Sequence, residues 1–296
     1  MTRIKFLGAL AVAAITVVGI AFLPRSQGKN TETVNSKVEA LVLANYAVEI
    51  IVPKHPAFSK LMAKNKPDKE TPFSVFVDNK NDRAIASCSL KWEILQSNGQ
   101  IATHFQTKTG TLEVVSEGGV AHLSEGIPAR GNLLFSLTHS STPDDQTSTA
   151  FRTSGGSYDV VRQLSDCVKV TVSIDGVLFV DGTYVGPDTN NYFELFRGQI
   201  DANRVLENEI DRLVSDGATP ERIKNHLRKI SNTQSSEVKI PSGEDAQYSF
   251  GKWMQQKRYA TLLLLMTEKK GHQTVLDHVR AELTKPQIKL RKLSEN

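Results

Sequence analysis

Apolar and polar residues alternate along most of residues 38–189, which predicts a β-rich region. The longest alternating run extends from Ala84 to Ile94, and shorter runs cover Val168–Ile174 and Phe73–Val77. A period of two is typical of a strand with one buried and one solvated face, as antiparallel sheets require. Turn-forming residues separate the runs, so we expect an antiparallel β-sandwich over residues 38–189. One face of the longest run is expected to carry Ala84, Ala86, Cys88, Leu90, Trp92 and Ile94.

After residue 190 the apolar spacing becomes helical, which predicts an α-helical region over residues 190–284. Asp181-Gly182 predicts a two-residue hairpin turn just before it, because glycine tolerates the positive φ that such a turn needs. The link from this hairpin to the first helix is short, so we expect the helices to pack near the sandwich. The expected fold class is therefore α+β. The predicted helices cover residues 192–214, 220–230, 244–270 and 273–283.

The N-terminal segment, residues 1–25, predicts export. Basic residues precede an uncharged run of 18 residues, Phe6–Leu23. A signal core is usually ~7–15 residues and a spanning helix needs ~20, so a cleaved signal peptide and a retained signal anchor are both open; a buried soluble helix is the remaining alternative. Residues 26–37 are polar and are interpreted as a tether. Cationic flanks stay in the cytoplasm, so we expect the rest of the chain to be extracytoplasmic.

Composition fits a folded protein, with 39% hydrophobic and 23% charged residues. The net charge of +4 is unevenly distributed: residues 31–189 hold 14 basic and 18 acidic residues, and residues 190–296 hold 18 basic and 14 acidic ones. A nucleic-acid partner is not expected for an exported chain with so little excess charge. Residues 285–296 are interpreted as a disordered basic tail.

The two cysteines, Cys88 and Cys167, leave two alternatives open, a disulfide and two free thiols. An even number of cysteines in an oxidising compartment favours a disulfide. The strand pattern favours free thiols, because Cys88 is on the apolar face of its run. The apolar face of the other run begins at Val168, so Cys167 is expected to point away from it or to lie at the entrance of the strand.

No catalytic, cofactor-binding or metal-ligating residue is assigned, and no cofactor is expected. The chain lacks the HExxH, GxSxG, P-loop and GxGxxG patterns. Asp175, Asp181 and Asp188 could form a cation or catalytic site, but their spacing does not fit an EF-hand loop. Each has a turn or helix-cap role available, which is the interpretation adopted.

Several other groups are interpreted as structural. Residues 78–82 resemble a calcium loop but lack its glycine and glutamate, so we predict a hairpin turn. His278 and Glu282 are spaced to pair on a helix surface, whereas His272 lies on another face. Nine aromatic residues are expected to pack at the sheet–helix junction, and the alternative is that they line a ligand groove. Five basic residues are expected on a solvated helix face, and the alternative is that they contact an anionic partner. These sets are Trp92, Tyr184, Tyr192, Phe193, Phe196, Tyr248, Phe250, Trp253 and Tyr259, and Lys252, Lys257, Arg258, Lys269 and Lys270.

Two stretches resemble uncharacterised exported bacterial proteins with an immunoglobulin-like β-sandwich. Residues 73–100 (FSVFVDNKNDRAIASCSLKWEILQSNGQ) resemble a strand–turn–strand unit of such sandwiches. Residues 170–203 (VTVSIDGVLFVDGTYVGPDTNNYFELFRGQIDAN) resemble a segment of such exported proteins. The resemblance implies the fold and the compartment and no activity. Cys88 and Trp92 share one strand, which departs from true immunoglobulin domains.

These patterns together predict an exported or membrane-anchored envelope protein that serves as a binding or scaffolding module. Its expected partners are the membrane, through an uncleaved N-terminal helix, and an envelope protein or polymer. The alternative is a hydrolase or carbohydrate-active enzyme, which a cleft holding two carboxylates or a Ser–His pair would support. A sensor or anti-sigma-like regulator would need a folded cytoplasmic domain, and only five residues precede the apolar run.

Overall fold

The computed structural model describes residues 37–41, 47–65, 73–109, 114–117, 120–123, 125–137, 157–238 and 245–293. The predicted leader and most of the tether lie outside these ranges. Residues 140–157, whose polar composition predicts a long loop, also lie outside them apart from residue 157. The strands are β1 (Val38–Leu41), β2 (Val48–Ile51), β3 (Ser74–Asn79), β4 (Ile85–Gln96), β5 (Ile101–Thr109), β6 (Val114–Glu117), β7 (Val120–Leu123), β8 (Asn132–Ser136), β9 (Cys167–Phe179), β10 (Thr183–Val185) and β11 (Arg291–Lys292). The helices are α1 (Pro56–Asn65), α2 (Ser157–Ser165), α3 (Tyr192–Ser215), α4 (Pro220–Asn232), α5 (Asp245–Lys270) and α6 (His272–Thr284).

The fold class is α+β, as predicted. The larger sheet has the order β11-β10-β9-β4-β5, with β1 also paired to β9, and the smaller sheet has the order β2-β3-β8. Strands β6 and β7 pair separately as a two-stranded ribbon. Most pairs are antiparallel, but β1 runs parallel to β9 and β11 runs parallel to β10. The prediction of purely antiparallel pairing is therefore wrong at these two pairs. The strands of each pair are far apart in the chain. A tight turn between two strands requires antiparallel pairing, whereas a long connection also permits parallel pairing.

The two sheets share one apolar core. Trp92 lies at its centre and is fully buried, and Phe135 reaches it from the smaller sheet. The outer face of the smaller sheet is covered by α1, where Phe58 packs edge-on against Phe76. The main contributors to the shared core are Val48, Ile50, Val75, Val77 and Phe135 from the smaller sheet and Cys88, Leu90, Trp92, Ile94, Val170, Val172 and Ile174 from the larger one.

A β-bulge interrupts the alternation predicted for β4. Its pairing register with β9 shifts between Ile85 and Ser87. Ile85 therefore lies in the core between the sheets, whereas Ala86 packs on the opposite face with Leu178. The extra residue of a bulge reverses the phase of the side chains that precede it. The predicted common face is wrong for Ala86 and confirmed from Cys88 onward.

A second irregularity lies at the start of β9, beside Cys167. The register shifts between Leu95 and Gln96, so Val168 is 55% exposed, contrary to the prediction that it belongs to the apolar face. Cys167 is buried and is the first residue of β9, which is one of the two positions expected for it. Cys88 pairs with Val177 and Cys167 with Gln96, so the cysteines are about 26 Å apart along the sheet at ~3.3 Å per residue. A disulfide needs Cα atoms within ~7 Å. Both thiols are free and buried.

Helix α3 connects the sheet to the other helices. Its N-terminal half places Phe196 against Tyr184 of the larger sheet. Its C-terminal half places Leu206 and Ile210 in a second core formed with α4, α5 and α6. The contact predicted between the helices and the hairpin around residue 181 is therefore present.

The helix boundaries follow their sequence signals. Gly217, at φ 73°, follows α3, and Thr219 accepts a hydrogen bond from the Arg222 backbone N–H at 3.3 Å where α4 begins. Helix α5 continues through Gly251 because α3 lies directly against it. A Cβ atom on Gly251 would lie 2.2 Å from the backbone oxygen of Leu195.

Residues 285–293 correct the prediction of a disordered tail. Arg291 and Lys292 pair with Thr183 and Tyr184 as strand β11. Ile288 and Leu290 pack against the sheet–helix junction. These apolar residues alternate with basic ones, which is a strand pattern that the net charge of the segment obscures.

Within the described part of the chain, no helix combines the length and the hydropathy that crossing a bilayer requires.

Candidate functional site

The hairpin between β9 and β10 separates the three aspartates singled out in the sequence. Asp181 lies in the turn, where its Oδ1 atom accepts a hydrogen bond from the Thr183 backbone N–H at 2.9 Å and its Oδ2 atom pairs with Arg83 at 3.0 Å. Burial raises the pKa of Asp181, but the bonds from Thr183 and Arg83 outweigh it and lower the pKa overall. The predicted turn role is confirmed. The loop has three residues rather than two, with Gly182 at φ 83°.

Asp175 and Asp188 come together because they lie at similar distances on either side of this turn. The Asp188 backbone N–H donates to the Asp175 carbonyl at 2.8 Å. Asp175 is the extra residue of a bulge in β9, and its Oδ1 atom accepts from the Thr189 backbone N–H at 2.9 Å. The fold therefore brings the backbones of Asp175 and Asp188 together, although the two residues are thirteen positions apart in the chain. The centre of the predicted hairpin was the signal that could have placed them opposite each other.

The acidic junction, defined as Asp175, Tyr184, Asp188 and Lys292, joins β9, β10, β11 and the start of α3. The Oδ1 atom of Asp188 accepts from the Tyr184 hydroxyl at 2.9 Å and from the Phe193 backbone N–H at 3.2 Å, which confirms its predicted capping role. Its Oδ2 atom pairs with Lys292 at 2.8 Å. Burial and the nearby Asp188 carboxylate raise the pKa of Tyr184 above its usual range, so the hydroxyl keeps its proton.

The acidic junction is a structural connection rather than an open site. Tyr184 and Asp188 are almost fully buried. The Tyr184 ring lies across Gly176, where a Cβ atom would meet the tyrosine hydroxyl at 1.8 Å. The described residues contain no group of three His, Cys, Asp or Glu side chains placed to hold a metal ion. This arrangement can orient α3 on the sheet.

Residues 78–82 comprise the last two residues of β3 and the turn that follows them, which is not a hairpin. The turn leads from β3 in the smaller sheet to β4 in the larger one. The buried side-chain amide of Asn79 donates to the backbone oxygens of Arg83 at 2.8 Å and Pro128 at 3.0 Å. Asn79 therefore holds a crossover between sheets, which local sequence cannot distinguish from a hairpin.

A polar network crosses the helical core and was not predicted apart from its His278–Glu282 pair. That pair is present, with Nδ1 and Oε1 atoms 3.9 Å apart. The Tyr259 hydroxyl lies 3.1 Å from Oε1 of Glu207 and 3.2 Å from Nε2 of His278. Glu207 is almost fully buried, and this burial raises its pKa. We call Glu207, Tyr259, His278 and Glu282 the helix network.

The predicted aromatic set is divided among four places, one of which is the N-terminal part of α5 with Tyr248, Phe250 and Trp253. Tyr184, Tyr192, Phe193 and Phe196 form the expected cluster at the sheet–helix junction. Trp92 lies between the sheets and Tyr259 in the helical core. Within the predicted basic set, Lys257 donates to the Thr233 carbonyl at 3.2 Å.

An open polar cleft of about 550 Å³ lies between the β4–β5 turn and α2. Its polar lining consists of three glutamines, one positively charged side chain and one negatively charged side chain, and Ile101 and Ala102 supply an apolar part. The polar residues are Gln96, Gln100, Arg162, Gln163 and Asp166. Ser97, in the β4–β5 turn, connects the two walls of the polar cleft, because its hydroxyl donates to Asp166 Oδ2 at 2.8 Å. Sequence reasoning did not find this polar cleft, because its two walls are about sixty residues apart and neither carries a motif.

Behind the polar cleft, the inner face of the edge strand β5 carries polar side chains. His104 is 4% exposed, and its Nε2 atom lies 2.5 Å from Oε1 of Gln163. Gln106 accepts from Trp92 Nε1 at 3.1 Å and donates to the Ser136 carbonyl at 3.0 Å. Lys108 donates to the Leu134 carbonyl at 2.5 Å. These side chains bridge the edges of the two sheets and support one wall of the polar cleft.

No protein-family model matches the chain, and no curated protein or solved structure matches it either.

Proposed function

We propose that the chain is an exported protein of the cell envelope that binds a partner outside the cytoplasm. The support is the N-terminal segment, in which basic residues precede the apolar run Phe6–Leu23. The polar residues 26–37 would then tether the folded region to the membrane if the leader is retained.

The polar cleft is the proposed binding site, and its lining is the observation that carries this proposal. It is concave, open to solvent and lined by hydrogen-bonding side chains beside the exposed Ile101. Its volume falls in the range of ~300–1,000 Å³ found for small-ligand sites. Among the described residues, the guanidinium of Arg162 has no ion-pair partner, so it is available to a ligand.

A hydrolase is not the preferred function. The described lining of the polar cleft holds one carboxylate, Asp166, and a two-carboxylate mechanism requires a second one on the opposite side of the bond. Asp175 and Asp188 do form a pair, but Asp188 is sealed by Tyr184 and Lys292.

A topology experiment tests the compartment. An enzyme that is active only outside the cytoplasm, fused after Asn296 of the full chain, should be active. Activity of a cytoplasmic reporter alone at the same position would contradict export. N-terminal sequencing of the mature protein distinguishes a cut after Ala21 from a retained anchor.

A crosslinking experiment tests the binding site. The full chain should recover the same envelope component in repeated pulldowns, and Arg162→Glu should lose it. Gln273→Ala is the matched control, because Gln273 is exposed on α6 and bonds only Asp277 in the same helix. Equal recovery by the wild type and Arg162→Glu would contradict binding at the polar cleft.

A further inference from the structure

We propose that the polar cleft binds a sugar chain bearing acetamido groups, and that His104 positions Gln163 to recognise it. The inference rests on the proposed function, because it names the ligand class for the same site.

Hydrogen bonds within the protein occupy the acceptor oxygens of two lining glutamines, so the N–H groups of these side chains are the ones left to face a ligand. Gln163 presents Oε1 to the Nε2–H group of His104 at 2.5 Å, so its amide nitrogen is left for a ligand. Gln100 likewise uses Oε1 to accept from Asn98 at 3.2 Å. Amide and guanidinium N–H groups are donors that require acceptor oxygens. The ligand should therefore carry acceptor oxygens, and the carbonyl of an acetamido group is one.

The charges of the cleft favour an uncharged ligand. Arg162 and Asp166 offset each other on the same wall. Asp166 uses Oδ2 for the Ser97 hydroxyl, and its other oxygen can accept an N–H group. An acetamido group supplies both a carbonyl acceptor and an N–H donor without a charge. A carboxylate-bearing chain would match Arg162 but would face repulsion from Asp166.

The apolar part of the cleft fits the remaining surface of such a sugar. Ile101 is 64% exposed at the rim, and Ala102 lies next to it, half-buried. An exposed isoleucine beside polar groups offers a surface for the acetyl methyl group and the C–H face of a sugar ring.

The position of His104 is set by the sheet and not by the ligand. It stands opposite Trp92 in the β4–β5 ladder and is almost fully buried. Its Nδ1 atom is buried without a hydrogen-bond partner among the described residues, so its Nε2–H bond to Gln163 is the one polar contact that the ring makes there. A buried ring nitrogen without a hydrogen bond lowers stability, so stability does not explain why a histidine stands at this position. This arrangement fixes which end of the Gln163 amide faces the ligand.

The test is calorimetric titration of the purified full chain in detergent with three hexasaccharides. The probes are the N-acetylglucosamine hexamer, the glucose hexamer with the same β-1,4 linkage, and the galacturonic acid hexamer. Only the first should bind. Gln163→Glu keeps the acceptor for His104 but removes the donor, and it should weaken binding about tenfold, the effect of one ordinary hydrogen bond. Gln273→Ala is the control.

A second pair of variants tests the positioning role. His104→Met removes the donor at similar volume and should weaken binding, whereas His104→Gln retains an N–H donor and should restore it, at equal melting temperatures. If His104→Met does not fold, His104→Leu, which also lacks the donor and leaves Gln163 in place, provides the same comparison. Equal binding by wild type and the folded His104→Met would overturn the positioning role.

The outcomes separate the inference from the proposed function. Equal binding of the glucose hexamer, or preference for the galacturonic acid hexamer, would overturn the acetamido assignment. Binding of none of the probes would overturn it too, while a partner that is still lost with Arg162→Glu in the crosslinking experiment would leave the proposed function intact.

Discussion

At the scale of single residues, Trp92 shows how packing and hydrogen bonding combine in the core. Its ring is fully buried between the sheets, and its Nε1–H group donates to Gln106. Gln106 in turn donates a hydrogen bond to the Ser136 carbonyl, which lies on the edge strand β8 of the smaller sheet. One side chain therefore fills the core and links both sheets.

Trp92→Ala should lower the free energy of unfolding by about 3–5 kcal/mol, because it creates a large cavity and leaves Gln106 unsatisfied. Denaturant unfolding of the full chain measures this change. Val168→Ala is the control: the sequence pattern places Val168 on the apolar face, but it is 55% exposed, so its effect should stay within about 0.5 kcal/mol. Equal costs for the two variants would contradict the observed register.

Cys88 and Cys167 should both be free thiols in the purified protein. Burial raises the pKa of Cys88 to about 12 and also raises that of Cys167. Thiol reagents react with the thiolate, so the folded protein should react slowly at pH 8 and denatured protein should give two thiols. A mass two daltons lower without reductant would show a disulfide and contradict the strand register.

At the scale of elements, sequence patterns located the four helices after residue 190 but missed α1 and α2, which lie in the region interpreted as β-sandwich. Gly217 and the Thr219-Pro220 pair mark helix ends by local chemistry, and the structure confirms them. The bulges at Ala86 and Asp175 depend on pairing with a distant strand, so no local pattern reports them. The polar cleft has the same origin. It exists because the β4–β9 ladder brings Gln96 next to Cys167, directly after α2.

Glu207 should make the stability of the helical core depend on pH. Its pKa is raised above 4.5 in the folded state, mainly by burial. Folding therefore favours the protonated form, and this contribution is complete below the unfolded pKa and lost as pH rises through the folded pKa. Glu207→Gln, which can still accept from Tyr259, should be more stable than wild type at pH 7, with the difference shrinking as pH falls to about 4.

Melting temperatures of the wild type and Glu207→Gln across this pH range measure the effect. Glu268→Gln, at an exposed position on α5, is the control for losing one negative charge. A constant difference between wild type and Glu207→Gln at every pH would show that Glu207 is not responsible.

At the scale of the whole molecule, the acidic junction connects the C-terminus to the sheet. Lys292 should stabilise the fold, because its partner Asp188 has only 2% of its side chain exposed. Removing one member of a buried ion pair costs ~3–5 kcal/mol, but Lys292 is 42% exposed, so we expect about 1–3 kcal/mol for Lys292→Met. The cost should shrink in an Asp188→Asn background. Equal costs in both backgrounds would show that the pair contributes nothing.

The last prediction concerns whether the sheets and the helices are independent units. The N-terminal half of α3 and the Ile288–Leu290 segment cover Leu178 and Tyr184 on the outer face of the larger sheet. Residues 38–190 expressed alone would expose this apolar face and leave Asp188 without Lys292. The fragment should therefore aggregate or bind a hydrophobic dye, and co-expression with residues 191–296 should suppress both effects by restoring the junction. If residues 38–190 alone are soluble, monomeric and as stable as the full chain, the sheet does not depend on the helices, and the junction is only a contact between two independent domains.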